Sequence, residues 1–100
     1  MENLIHPFLG RHVIARCTGA GVHAGVLSAI SKDHSSVILV GARRLWKWHA
    51  KDGVALSGVA KFGIIAKDSI VDTPVHEIHL NGVVELIPTT EEARKSIDEA

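Results

Sequence analysis

The chain reads as a mainly β protein of α+β type: a small antiparallel β-barrel or curved meander with a short C-terminal helix. Three observations predict this. Between His12 and Trp48, apolar and polar residues alternate in short runs separated by glycine and polar turn signals, the period-two pattern of strands. A second alternating run, Val75 to Ile87, stops at Pro88. A capping pattern then opens a helix. One hundred residues suit one β-rich domain, residues 1–100, with strands over about 12–48 and 75–87 and the helix over about 90–98.

Each element follows from local chemistry. Leu4 to Leu9 is an apolar lead-in broken by Pro7. His12 to Cys17 alternates, with Val13, Ala15 and Cys17 on one face and His12, Ile14 and Arg16 on the other. Thr18-Gly19-Ala20-Gly21 signals a turn. Val22 to Ile30 alternates again, and Gly25 inside it predicts a bulge, a bend or a close backbone approach. Ser31 to Ser35 is a polar turn, Ser36 to Val40 a β-branched strand, and Gly41 permits a bend before Arg43 to Trp48 continues extended. Asp52 to Ala66, interrupted by Gly53, Gly58 and Gly63, predicts one or two broken helical turns that plug an open side of the sheet. Lys67 to Pro74 reads as a loop. Asn81-Gly82 predicts either a two-residue hairpin or a bulge in one long strand. Thr89 with Glu92 makes a capping box, Glu91 and Glu92 complement the helix dipole, and Ala93 and Ile97 form the inner face of a helix ending near Asp98.

Composition narrows the function classes. Hydrophobic residues are 46% and charged residues 22%, an ordinary globular balance without an apolar run of membrane-spanning length. The N-terminus lacks the basic start and long apolar core of a signal peptide, and the single Cys17 has no internal disulfide partner, so a cytoplasmic setting is expected. Net charge is zero, which argues against a general nucleic-acid binder. The charge is nevertheless split. Residues 1–67 carry nine Lys/Arg and three Asp/Glu, and residues 68–100 carry two and eight. Such a division fits a focused anion pocket, a head-to-tail subunit contact or internal pairing.

The densest chemistry lies in Ala42-Arg43-Arg44-Leu45-Trp46-Lys47-Trp48-His49, which holds both tryptophans. In an extended segment Arg44, Trp46 and Trp48 share one face, and Arg43, Leu45 and Lys47 the other. Guanidinium beside flat aromatic surface suits a phosphate or a base. The competing reading makes the tryptophans core and the arginines a solvated rim or partners of the C-terminal acids. Arg11 or Arg16 on one strand would approach Arg43 or Arg44 on a neighbour, giving a two-arginine phosphate clamp. Trp46, Trp48 and His23 would stack or close the pocket, although the tryptophans are also expected to be largely buried, with the arginines projecting. Seven histidines invite a metal reading, but His76 and His79 fall on opposite strand faces and the rest are scattered, so no metal and no cofactor are expected. Cys17 reads as a small core residue. No phosphate loop, dinucleotide fingerprint or nucleophile elbow occurs, so the expectation is a binder and not an enzyme.

Three segments resemble a group of short phage and prophage proteins: Gly10-Arg11-His12-Val13-Ile14-Ala15-Arg16 with Ala20 to Leu27, Ala42 to Trp48, and Val84 to Ala93. The likeness covers most of the chain apart from about 50–73. That group is similar to the Thoeris anti-defence sponge proteins, small β-rich proteins that assemble as dimers or hexamers and sequester cyclic nucleotide immune signals. The resemblance implies a non-catalytic trap in the host cytoplasm for a cyclic oligonucleotide or a cyclic ADP-ribose derivative, with pockets at subunit interfaces of a homo-oligomer. It makes Arg11 and Arg43/Arg44 the phosphate contacts and lets Gly25 bring ligand close to backbone. Two departures stand out. His23-Ala24 replaces a position often aromatic in that group, and the middle segment diverges. The Gly-x-Leu of the meander, followed by an Asp-containing turn, also resembles Sm-like and SH3-like barrels, which implies an alternative as a structural or RNA-binding assembly module of a phage.

Overall fold

A computed structural model describes residues 6–53 and 55–100. The elements are β1 (His12–Cys17), β2 (Gly21–Ile30), β3 (Ser36–Lys47), α1 (Leu56–Phe62), β4 (Ile70–Val71), β5 (Val75–Asn81), β6 (Val83–Pro88) and α2 (Glu91–Asp98). The start of the apolar lead-in at Leu4 lies outside the described residues, as does Val54 of the broken helical segment. Among the described residues no helix is long and apolar enough to cross a membrane.

Strands β1, β2 and β3 form an antiparallel meander, β5 lies on the far edge of β3, and β6 lies on the free edge of β1. Only Gly82 separates β5 from β6, so one long strand changes partner at that residue and closes the ring into a small barrel. Gly82 has φ 71°, a left-handed conformation that a Cβ disfavours. The Thr18 N–H donates to its carbonyl at 2.9 Å, and the Val83 N–H donates to Ser35 O at 2.9 Å. Asn81-Gly82 is therefore a corner in a long strand and not a hairpin, because the two flanking strands pair with β3 and β1 instead of each other.

Alternation along the meander supplies two cores. Val13, Ala15, Cys17, Leu27, Val37, Leu39, Ala42 and Leu80 fill the barrel. Ile14, Ala24 and Leu45 point the other way and are covered by Leu56, Val59, Ala60 and Ile64 of the α1 region and by Ile97 of α2. Both faces of β1 are thus buried apart from the exposed Arg16. The α1 segment forms half of a lid. Its other half, α2, is joined to it by Thr90 N–H to Ala60 O at 3.0 Å and Ile64 N–H to Ser96 Oγ at 3.0 Å.

Two local readings need correction. The helix cap is Thr90, whose hydroxyl accepts from Ala93 N–H at 3.1 Å, and not Thr89. Thr89 is drawn away by β1: its hydroxyl lies 2.6 Å from His12 Nδ1 and donates to His12 O at 3.0 Å. The segment 67–74, expected as loop, contains the two-residue strand β4, which pairs with the end of β3.

Candidate ligand-binding site

β3 builds the site by changing partners. Ala42 pairs with Val75 of β5, while Leu45 pairs with Val71 of β4. Residues 72–74 connect β4 to β5, so Arg43 and Arg44 sit where β3 passes from one partner to the other. There Asp72 N–H donates to Arg44 O at 2.9 Å. Neighbours in a strand point to opposite faces, and the two arginines have opposite fates.

Arg43 faces the side covered by the helices. Its Nε donates to Asp72 O at 2.8 Å, Nη1 to Ile97 O at 2.7 Å, and Nη2 to Ala100 O at 3.0 Å. A cation that satisfies the last carbonyls of a helix completes its hydrogen bonding and opposes its dipole. All three guanidinium nitrogens are occupied, so Arg43 fastens α2 to the sheet and is removed from the predicted phosphate contacts.

Arg44 is exposed, and among the described residues it makes no ion pair. It stands on a ridge between two clefts. The larger, about 350 Å³, is lined by Arg44, Trp46, Trp48, Leu45, Val22 and the Gly19-Ala20-Gly21 turn. The smaller, about 220 Å³, lies between Arg44, His23, Asp72, Thr73, Val75 and Ile78. Trp46 is 73% exposed. Trp48 is half-buried and packs against the helix-covered core, which fixes one wall of the larger cleft. The expectation that the tryptophans are both largely buried fails at Trp46, because the helices cover the Leu45 side of β3 and leave the Trp46 side open.

His23 lies opposite Arg44 across the β2–β3 ladder, but its ring is 1% exposed and cannot stack on a ligand. Its Nε2 is 2.8 Å from Ala20 O. A carbonyl has no proton, so Nε2–H donates, and the ring is the tautomer that pins the 19–21 turn. Burial lowers its pKa, an effect opposed by the Ala20 hydrogen bond and reinforced by the Arg44 cation. His23 therefore shapes the cleft floor from behind.

The other predicted site residues do not join this cluster. Arg16 Nε lies 2.9 Å from Glu85 Oε1, an exposed pair of the kind expected between the basic and acidic parts of the chain. Arg11 lies with its guanidinium 5.5 Å from the Phe8 ring centroid, and its carbonyl accepts from Leu27 N–H. That is four residues along β2 from His23, roughly 13 Å, so the two-arginine clamp is not assembled within one chain. Gly25 is buried in β2. A Cβ there would lie 3.1 Å from Ala42 Cα, Leu39 Cβ and Val40 O, so its close approach is between β2 and β3 and not between backbone and ligand. Cys17 is buried and burial raises its pKa, which keeps the thiol protonated.

The sequence missed Asp72 and Thr73, which reach the site only because β4 pairs with β3. The 19–21 turn carried a signal, two glycines offering backbone N–H groups, but nothing local placed it beside Trp46.

Together these features define a small β-barrel domain with an open, ligand-sized cleft lined by one arginine and two tryptophans. The chain belongs to the family described as a domain of unknown function, DUF6948, whose model matches residues 10–97, from just before β1 to the end of α2. A comparison with curated proteins found no match.

Proposed function

We propose that this protein is a non-catalytic binder that captures a nucleotide-type anion in the cleft at Arg44. The observation that carries the reading is the Arg44 guanidinium, which makes no ion pair among the described residues, on a ridge beside the exposed Trp46 ring and the wall formed by Trp48. Arg44 would take a phosphate in bidentate fashion, Trp46 and Trp48 would hold a base, and N–H groups of the 19–21 turn would meet further phosphate oxygens. A cleft of about 350 Å³ lies within the size range of small-molecule sites. The resemblance to sponge proteins extends this reading to a role. A phage-encoded protein would sequester a cyclic oligonucleotide or cyclic ADP-ribose-type immune signal in the host cytoplasm, one ligand per site and without turnover.

Thermal unfolding with a panel of cyclic di- and trinucleotides and ADP-ribose derivatives tests this. At a hundredfold excess over Kd a ligand adds roughly 2.7 kcal/mol, which for a domain of this size raises Tm by about 10–20 °C. Arg44→Ala and Trp46→Ala should abolish the shift, and Arg11→Ala should retain it. The ligand should be recovered intact after heating. A full shift in Arg44→Ala overturns the site, and steady conversion to product overturns capture. Salt-sensitive binding to single-stranded RNA without any response to the panel would favour the assembly-module alternative.

A further inference from the structure

We propose that β5 is a self-association edge, on which a second copy of this chain docks with its own β5 antiparallel about a two-fold axis at Ile78. Among the described residues, β5 pairs with β3 alone, from Asn81 opposite Ser36 to Val75 opposite Ala42. Among the described residues no strand takes up the backbone N–H and C=O groups of the other edge, which makes it a template for strand addition.

The sequence of that edge selects its partner. Ile78 and Leu80 oppose Leu39 and Val37 and contribute to the barrel interior. Glu77 and His79 therefore share the outer face, and both are exposed. A docked antiparallel strand keeps inner faces inside only in registers that oppose residues of the same parity. The register centred on Ile78 overlaps the whole strand and sets Glu77 against His79 of the second copy, and His79 against its Glu77. Each pair places an imidazole N–H beside a carboxylate, and symmetry makes two of them. A slip by two residues in one direction opposes Glu77 to Glu77, and in the other His79 to His79. The full-overlap register is thus the one that sets each carboxylate against an imidazole N–H donor. Glu77 makes no ion pair within its own chain among the described residues, so it is available for this contact.

This interface does not depend on the nucleotide reading. In the two-fold arrangement the two Val75 residues lie six positions apart along the paired strands, roughly 20 Å, so each copy keeps its own Arg44 cleft.

Sedimentation velocity over a concentration series tests the edge. The wild-type chain should show a reversible monomer–dimer equilibrium, and Arg44→Ala should show the same one. Glu77→Lys inverts both symmetric pairs at once and should weaken the dimer by at least about tenfold. Combining Glu77→Lys with His79→Glu exchanges the charges and should restore it. Both positions are exposed, and an unchanged Tm at low concentration would show that the fold is intact. A wild-type chain that stays monomeric throughout, a dimer indifferent to Glu77→Lys, or a double variant that stays weak would each overturn the proposal.

Discussion

His12 predicts a loss of stability in mild acid. The imidazole is buried in β1, with Nδ1 2.6 Å from Thr89 Oγ1, where it latches the first strand to the β6–α2 junction. Burial first, and then the Arg94 cation, lowers its pKa from 6.5 to about 4, with Asp98 opposing weakly. Below pH 6.5 the unfolded chain takes up a proton that the folded chain refuses until about pH 4, so stability falls as pH drops through that window. At roughly 1.4 kcal/mol per pH unit the full loss is about 3 kcal/mol, of which about 1.4 kcal/mol is gone by pH 5.5. His23, lowered in the same direction by its own burial, steepens the wild-type profile.

The contribution of His12 is isolated by comparison with His12→Asn, which sets an amide N–H close to the position of Nδ1 and cannot titrate. Urea unfolding at pH 7.5, 6.5 and 5.5 should find the variant less stable at the highest pH. The gap should narrow by about 1.4 kcal/mol at the lowest. Parallel profiles, or an NMR titration that puts His12 at its ordinary value in the folded state, would refute the reasoning.

Two further outcomes follow from packing. Gly25→Ala forces a Cβ against three atoms at 3.1 Å and should cost about 1–3 kcal/mol in urea unfolding, with affinity at the Arg44 cleft unchanged. Arg43→Ala releases the carbonyls of Asp72, Ile97 and Ala100 and should lower stability by about 2 kcal/mol. Amide exchange should then accelerate in the last turn of α2 while ligand binding persists.

Much of the fold was legible because its signals are local. The alternation of β1 to β3 and the inward pair Ala93 and Ile97 each follow from residues a few positions apart. What escaped depends on distant partners. Thr89 and Thr90 are equivalent caps until His12, 77 positions away, engages the first of them. Gly82 announced a left-handed residue in either reading, but which strands flank it is decided by closure of the barrel. In the site, sequence spacing correctly grouped Arg44 with Trp46. It could not say that Arg43 would be consumed by α2, or that His23 would lie beneath the cleft surface, because alternation assigns faces without telling which face is covered.

The covering layer therefore decides which arginines of β3 stay accessible in this barrel. α1 and α2 lie over the Ile14, Ala24 and Leu45 side of the meander, and the barrel interior takes the Val13, Leu39 and Ala42 side. An arginine of β3 stays accessible beyond the point where the interior ends, after Ala42, and on the face turned from the helices. Arg44 meets both conditions and its neighbour Arg43 meets one. The same two-residue step lets β3 leave β5 for β4, which opens a cleft on each side of Arg44. Under the proposed function, stability and recognition are thus divided between adjacent arginines. The division is enforced by strand geometry, since exchanging Arg44 with Leu45 would place a charge in the helix-covered core and a hydrophobic residue in the cleft.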